Sequence, residues 1–104
     1  MNQIRGDGLF FSDPGFTPKQ GQYLAFIYAY TQIIGRPPAE ADLQRYFQVT
    51  APSVHQMILT LERAGLISRK PGTPRSIRVV VDPEQLPPLR PTTDQLVKST
   101  VQRY

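Results

Sequence analysis

The sequence predicts a mainly α domain, three helices closed by a small β-hairpin. Three observations carry that reading. Apolar residues recur at helical spacing in three successive segments, each bounded by capping and turn residues. The second and third segments are separated only by Gln48-Val49. A β-branched run, Ser76-Ile77-Arg78-Val79-Val80-Val81, follows a stretch dense in turn residues.

Residues 1–16 read as an irregular N-terminal arm. They hold Gly6, Gly8, Pro14 and Gly15 around an apolar knot, Leu9-Phe10-Phe11, suited to packing on the domain. The first helix is expected over 18–34. The Thr17 hydroxyl can cap it, and Pro18 suits the first helical position, where no backbone donor is needed. Leu24, Ile27, Thr31 and Ile34 form its stripe, widened by Tyr23 and Phe26. Tyr28, Tyr30 and Ile33 fall partly outside that stripe, which suits either a dimer surface or cover by the chain's own termini. Gly35 can adopt the left-handed stop, and Pro37-Pro38 prevents continuation.

A second, short helix is expected over 39–47. Glu40 and Asp42 lie in its first turn, where the helix dipole favours negative charge, and Leu43, Tyr46 and Phe47 form its apolar face. The third is expected over 51–64, capped by Thr50 and closed by Gly65, with Val54, Met57, Ile58 and Leu61 facing the core. Strands at 66–69 and 76–81 flank a long, stiff tip, Lys70-Pro71-Gly72-Thr73-Pro74-Arg75. Prolines 83, 87, 88 and 91 mark residues 82–91 as an extended linker. Residues 92–104 then suit a short last helix or tail with Leu96, Val97, Val101 and Tyr104 on one side. The expected organisation is thus an arm (1–16), a domain (17–81), and a linker with tail (82–104).

Composition removes several chemistries. The 104 residues include no cysteine, so disulfides, thiolate metal sites and cysteine nucleophiles are excluded. His55 is the only histidine, and it lies two residues from Ser53 on a helix, where side chains do not face each other. Asp7 and Asp13 are scattered carboxylates in a glycine-rich arm, and no phosphate-cradling glycine loop is present. The expectation is therefore no enzyme, no metal and no cofactor. No apolar run approaches the ~18 residues of a membrane span, and the N-terminus does not read as a leader. These features suggest a cytoplasmic, nucleoid-associated protein.

The order helix, short helix, turn, helix, basic hairpin is that of a winged helix-turn-helix. In this arrangement the third helix enters the major groove of duplex DNA. A step of 100° per residue puts Pro52, Gln56, Leu59, Thr60 and Arg63 opposite the core face, with Ser53 and His55 on the flanks. Gln56 can pair bidentately with an adenine edge, and Ser53 and Thr60 can bond bases or phosphates. Leu59 and Pro52 suit a thymine methyl, and Arg63 suits a phosphate. From Arg63 to Arg78 there are five basic residues (Arg63, Arg69, Lys70, Arg75 and Arg78) and no acidic one, within a net charge of +4. Arg69, Lys70, Arg75 and Arg78 are expected to hold DNA backbone or minor groove. A protein–protein docking module is the rival reading, with Leu59 and the helix-one aromatics as its surface.

Particular stretches also resemble a known family. Thr17-Pro18-Lys19-Gln20, Gly35-Arg36-Pro37-Pro38 and Leu61-Glu62-Arg63-Ala64-Gly65-Leu66-Ile67 look like the DNA-binding domain of LexA-type repressors. Arg75-Ser76-Ile77-Arg78 resembles that family's wing strand, so the likeness spans about residues 16–81. Thr50-Ala51-Pro52-Ser53-Val54-His55-Gln56 is similar to the start of the reading helix in DtxR-type and MarR-type regulators. The resemblance implies a three-helix winged fold and a transcriptional regulator that binds double-stranded DNA, usually as a homodimer on a two-fold site. Thr50, Pro52, Ser53 and Gln56 stand where those families contact DNA. LexA proper continues into a self-cleaving peptidase domain, which this sequence does not contain, so its damage-response role is not implied. His55 and Gln56 replace acidic residues of the LexA reading helix, which points to a different operator. The metal-ligand set of DtxR proteins is also missing.

Overall fold

A computed structural model describes residues 15–91. The expected arm residues 1–14 and the expected terminal helix over 92–104 lie outside the described residues. The elements are α1 (Pro18–Ile34), α2 (Glu40–Phe47), α3 (Ala51–Arg63), β1 (Ile67–Ser68), β2 (Arg78–Val79) and a 3₁₀ turn at Pro83–Gln85. Three helices and a two-stranded antiparallel sheet make the winged helix-turn-helix that the sequence predicts.

Local chemistry sets the boundaries. Thr17 and Gln20 form a reciprocal cap on α1: the Gln20 N–H donates to Thr17 Oγ1 at 3.1 Å, and the Thr17 N–H donates to Gln20 Oε1 at 2.9 Å. Gly35 stops the helix in the left-handed region (φ 92°), donating to the Thr31 carbonyl. The Asp42 carboxylate accepts the Ala39 N–H at 2.9 Å and so caps α2. Gln48 closes α2 in the left-handed region (φ 57°), with its side-chain amide donating to the Arg45 carbonyl at 2.8 Å. That geometry makes Gln48-Val49 the turn between α2 and α3. Thr50 Oγ1 caps α3 by accepting the Ser53 N–H at 3.2 Å. The helix ends in a pair of bonds, Gly65 N–H to the Glu62 carbonyl and Leu66 N–H to the Leu61 carbonyl, with Gly65 at φ 78°. This stop turns the chain directly into β1.

The core joins Tyr23, Leu24, Phe26 and Ile27 of α1, Leu43 of α2, and Val54, Ile58 and Leu61 of α3 with Ile67 and Ile77 of the hairpin. Tyr23 stacks on Phe47 with ring centroids 4.1 Å apart, and Phe26 stacks on Tyr46 at 4.5 Å. Two expectations for α1 are corrected. Ile34 is not a stripe residue but is 52% exposed, in a last turn of α1 where Gln32 and Ile33 are exposed as well. The buried surface is also wider than one stripe: Tyr23 through Ile27 are five consecutive buried residues.

The segment after the hairpin explains that width. Residues 82–91, expected as an extended linker, run back across α1 and are held there. The Gln22 side chain donates to the Pro88 carbonyl at 3.0 Å and accepts the Arg90 N–H at 2.7 Å. The Tyr46 hydroxyl donates to the Arg90 carbonyl at 3.1 Å, while Leu86 and Leu89 pack on the core. Gly21 allows the close approach, since a Cβ there would lie 3.0 Å from both Phe16 and Pro87. Proline content marked this stretch as extended but not what it lies against.

The hairpin is also shorter than expected. Only Ile67↔Val79 and Ser68↔Arg78 pair, against strands expected over 66–69 and 76–81. The Val80 N–H to Leu66 carbonyl bond extends the contact by one step. Beyond Ser68 a side chain takes over from the ladder. The Ser76 hydroxyl accepts the Lys70 N–H at 2.9 Å and lies 2.9 Å from the Thr73 carbonyl, to which it donates. Gly72 (φ 77°) and Arg75 (φ 57°) turn the chain within that clasp.

Candidate nucleic-acid interface

The α3 surface divides as helical spacing requires. Val54, Ile58 and Leu61 are fully buried and Met57 is half-buried. Pro52, Ser53, His55, Gln56, Thr60 and Arg63 are exposed on the remaining circumference. Leu59 is half-buried rather than open, so it is not the free apolar contact the sequence suggested. Within this face some polar groups are engaged by the helix itself. Thr50 Oγ1 serves the cap, and the Thr60 hydroxyl donates to the Gln56 carbonyl at 2.9 Å. The Gln56 side-chain amide makes no hydrogen bond among the described residues, so its donor and its acceptor are both available.

The two flanks of α3 meet different neighbours. On one, the start of α1 stands beside the exposed face of α3 across a shallow cleft of about 470 Å³ lined by Thr17, Lys19, Gln20, Pro52, Ser53, Gln56 and Thr60. Lys19 is exposed and has no acidic partner among the described residues. Sequence spacing gave no sign of this placement, because it depends on how α1 crosses α3.

The other flank meets α2 and the wing. His55 Nδ1 lies 3.3 Å from Glu40 Oε1 at the start of α2. At the end of the helix, Glu62 Oε1 accepts from Arg69 Nε at 3.0 Å. The tip of the hairpin, Gly72 to Ile77, borders the start of α2 at Ala39 and Glu40. Glu40 therefore meets His55 of α3 and lines, across from the hairpin tip, the cleft between α2 and the wing.

The four hairpin cations fall into two pairs. Lys70 and Arg78 are exposed and carry no ion pair among the described residues. Arg69 is engaged by Glu62, its side chain only 18% exposed. Arg75 is turned inward, with Nη1 3.2 Å from the Tyr30 hydroxyl, 3.4 Å from the Pro37 carbonyl and 3.2 Å from Asp42 Oδ2. Charge counting along the chain could not separate these pairs, because the partners of Arg69 and Arg75 come from α1, α2 and α3.

The electrostatics follow the same division. Burial pushes the Asp42 carboxyl up, but the Ala39 N–H, the Arg45 and Arg75 guanidinium groups and the Tyr30 hydroxyl together hold it below the ordinary carboxylate range. The Tyr30 hydroxyl, and then the Asp42 charge, hold the Arg75 guanidinium above its ordinary value. Among the described residues no group of three or more histidine, cysteine or carboxylate side chains is placed to hold a metal ion. No described helix is long and apolar enough to cross a membrane.

Comparison with known proteins agrees with this geometry. Residues 13–76 match the family model described as LexA DNA binding domain. The LexA repressor of Thermosipho africanus is 38% identical over 68 residues, which cover 65% of this chain and 34% of that protein. The LexA repressor of Thermotoga neapolitana is 34% identical over 73 residues, 70% of this chain and 37% of that protein. The LexA repressor of Bartonella quintana is 35% identical over 71 residues, 67% of this chain and 30% of that protein. The similarity therefore spans about a third of these relatives' length.

Proposed function

This chain belongs to the LexA DNA-binding domain family, and from that premise we propose that it is a sequence-specific repressor that binds double-stranded DNA through α3. Pro52, Ser53, Gln56 and Thr60 face base edges and sugar-phosphate in the major groove, with Thr50, His55 and Arg63 at the margins. The observation that carries this reading is Gln56. It is exposed in the middle of the face, its amide is unengaged among the described residues, and the exposed Lys19 lines the same cleft. Lys19 holds backbone on the α1 flank, and Lys70 and Arg78 hold it on the wing flank. Arg69 and Arg75, expected from sequence as two further backbone contacts, are assigned instead to the wing's own support.

The chain acts as a homodimer on a two-fold site, each copy occupying a half-site. The likeness of Thr50–Gln56 to DtxR-type and MarR-type reading helices fits the same use of the groove, with an operator that His55 and Gln56 make distinct from that of LexA. No catalytic step is assigned to these residues.

Selection of bound sequences from random duplexes tests the reading. A two-fold consensus is expected, with affinity falling steeply as salt rises, by about 0.9 in log–log slope for each phosphate neutralised. A second reading, a docking module for another protein, is favoured by Ile33, Ile34 and Val80, which are 80%, 52% and 60% exposed. Absent or salt-insensitive duplex binding would decide for that alternative.

A further inference from the structure

We infer that Arg75 positions the wing without touching DNA: it ties the hairpin tip to α1, to the α1–α2 connection and to α2 at once, and so holds Lys70 and Arg78 beside α3. The inference rests on the duplex-binding reading above and assigns a residue that this reading leaves without a role at the DNA.

The ladder alone does not hold the hairpin: the Ser76 clasp closes the tip on itself and Ile67 and Ile77 seat the strands in the core, but neither ties the tip to α2. Two pairs of strand residues form its ladder, and a two-stranded hairpin is marginal in water at any such length. Below the tip lies an open cleft of about 300 Å³, between the start of α2 and residues Gly72 to Ile77. It leaves the tip room to swing toward α2.

The geometry at Arg75 matches the role. Its backbone is left-handed (φ 57°), a region non-glycine residues adopt only where the surroundings over-determine it. That twist directs the side chain inward, where one nitrogen meets a hydroxyl, a carbonyl and a carboxylate from three different elements at 3.2 to 3.4 Å. The acceptors are themselves fixed. Asp42 holds the Ala39 N–H and the Arg45 side chain, and Tyr30 packs on Phe26 with ring centroids 5.8 Å apart. At the other end of the hairpin, Arg69 is bonded to Glu62 of α3. The wing is thus pinned at base and tip to different elements. A lysine keeps the charge of Arg75, but its four-carbon stem ends short of the place Nη1 occupies, where the three acceptors converge.

The test uses one selected duplex and the chain with Arg75→Ala, Arg75→Lys, Tyr30→Phe, Asp42→Asn and Lys70→Ala. Binding is measured across a salt series, and amide exchange of Thr73, Ser76 and Ile77 is followed in the free chain. If the wing is correctly placed in only ~10% of molecules once the tie is lost, affinity falls roughly tenfold. Arg75→Ala and Arg75→Lys should both show that fall with the parent's salt slope. Tyr30→Phe and Asp42→Asn should weaken binding in the same sense, and exchange at the tip should quicken in every variant of this group. Lys70→Ala, by contrast, should lower the slope by about 0.9. A slope reduced by Arg75→Ala as by Lys70→Ala, affinity restored by Arg75→Lys, or tip exchange left unchanged would each overturn the inference while the parent still binds. A parent that binds no duplex overturns the functional reading and the positioning role together. Should Arg75→Ala not fold, the lysine and Tyr30→Phe variants give the same decision.

Discussion

α3 and the wing are the two parts of the proposed interface, yet they are built in opposite ways. The conformation of α3 is specified within its own sequence. Thr50 starts it, Gly65 stops it, and Val54, Ile58 and Leu61 fix which side faces inward. The wing has two paired residues on each strand, and its attitude is set by Glu62, just ahead of the hairpin, and by Tyr30, Pro37 and Asp42, far away in sequence. The contrast teaches that the shape of an interface can be local on one bank and wholly tertiary on the other. Cations of equal charge then have unequal roles.

Substitutions can break or sharpen this contrast, and the largest effect falls on the shared core. Ile58→Ala empties a fully buried position and should cost about 2–5 kcal/mol of stability, read from urea unfolding. Both halves of the interface should be lost with it. Gln56→Ala should leave stability within ~0.5 kcal/mol yet remove about 1–3 kcal/mol of discrimination at one base pair, measured on a panel of single-substitution duplexes. Gly65→Ala forces an L side chain into φ 78° and should cost about 1–2 kcal/mol in unfolding, because the stop of α3 is also the start of β1.

A smaller effect is expected from acid. Asp42 has a folded-state pKa below its unfolded value, so its contribution is complete above about pH 4 and drains away as pH falls through the folded value. Stability measured below about pH 4 should therefore decline less steeply in Asp42→Asn than in the parent, by about 1 kcal/mol or less for a partly exposed network. The least effect on stability belongs to Arg78→Ala. It should leave unfolding within ~0.5 kcal/mol while lowering the salt slope of duplex binding by about 1.

What the sequence made legible follows the same line. The three helices, their caps, the turn at Gln48-Val49 and the polar side of α3 depend on residues within a few positions of one another, so periodicity and capping chemistry suffice to place them. The extent of the hairpin was overestimated because the Ser76 hydroxyl, a side chain, replaces the ladder at Lys70. Residues 82–91 were read as a linker because Gly21 and Gln22, which receive them, lie more than sixty positions away. Neither the place of Lys19 beside α3 nor the inward turn of Arg75 is legible in the sequence, for one reason. Whether a basic side chain is open or engaged depends on how the helices cross, and nothing in the spacing of charges reports that.

Titration of isotopically labelled chain with its selected duplex at low salt, followed by backbone amide shifts, tests the central claim most directly. The account predicts the largest perturbations at Ser53, Gln56 and Thr60, with a second group at Lys19, Lys70 and Arg78. Perturbations confined to Ile33, Ile34 and Val80, with α3 unchanged, would contradict it.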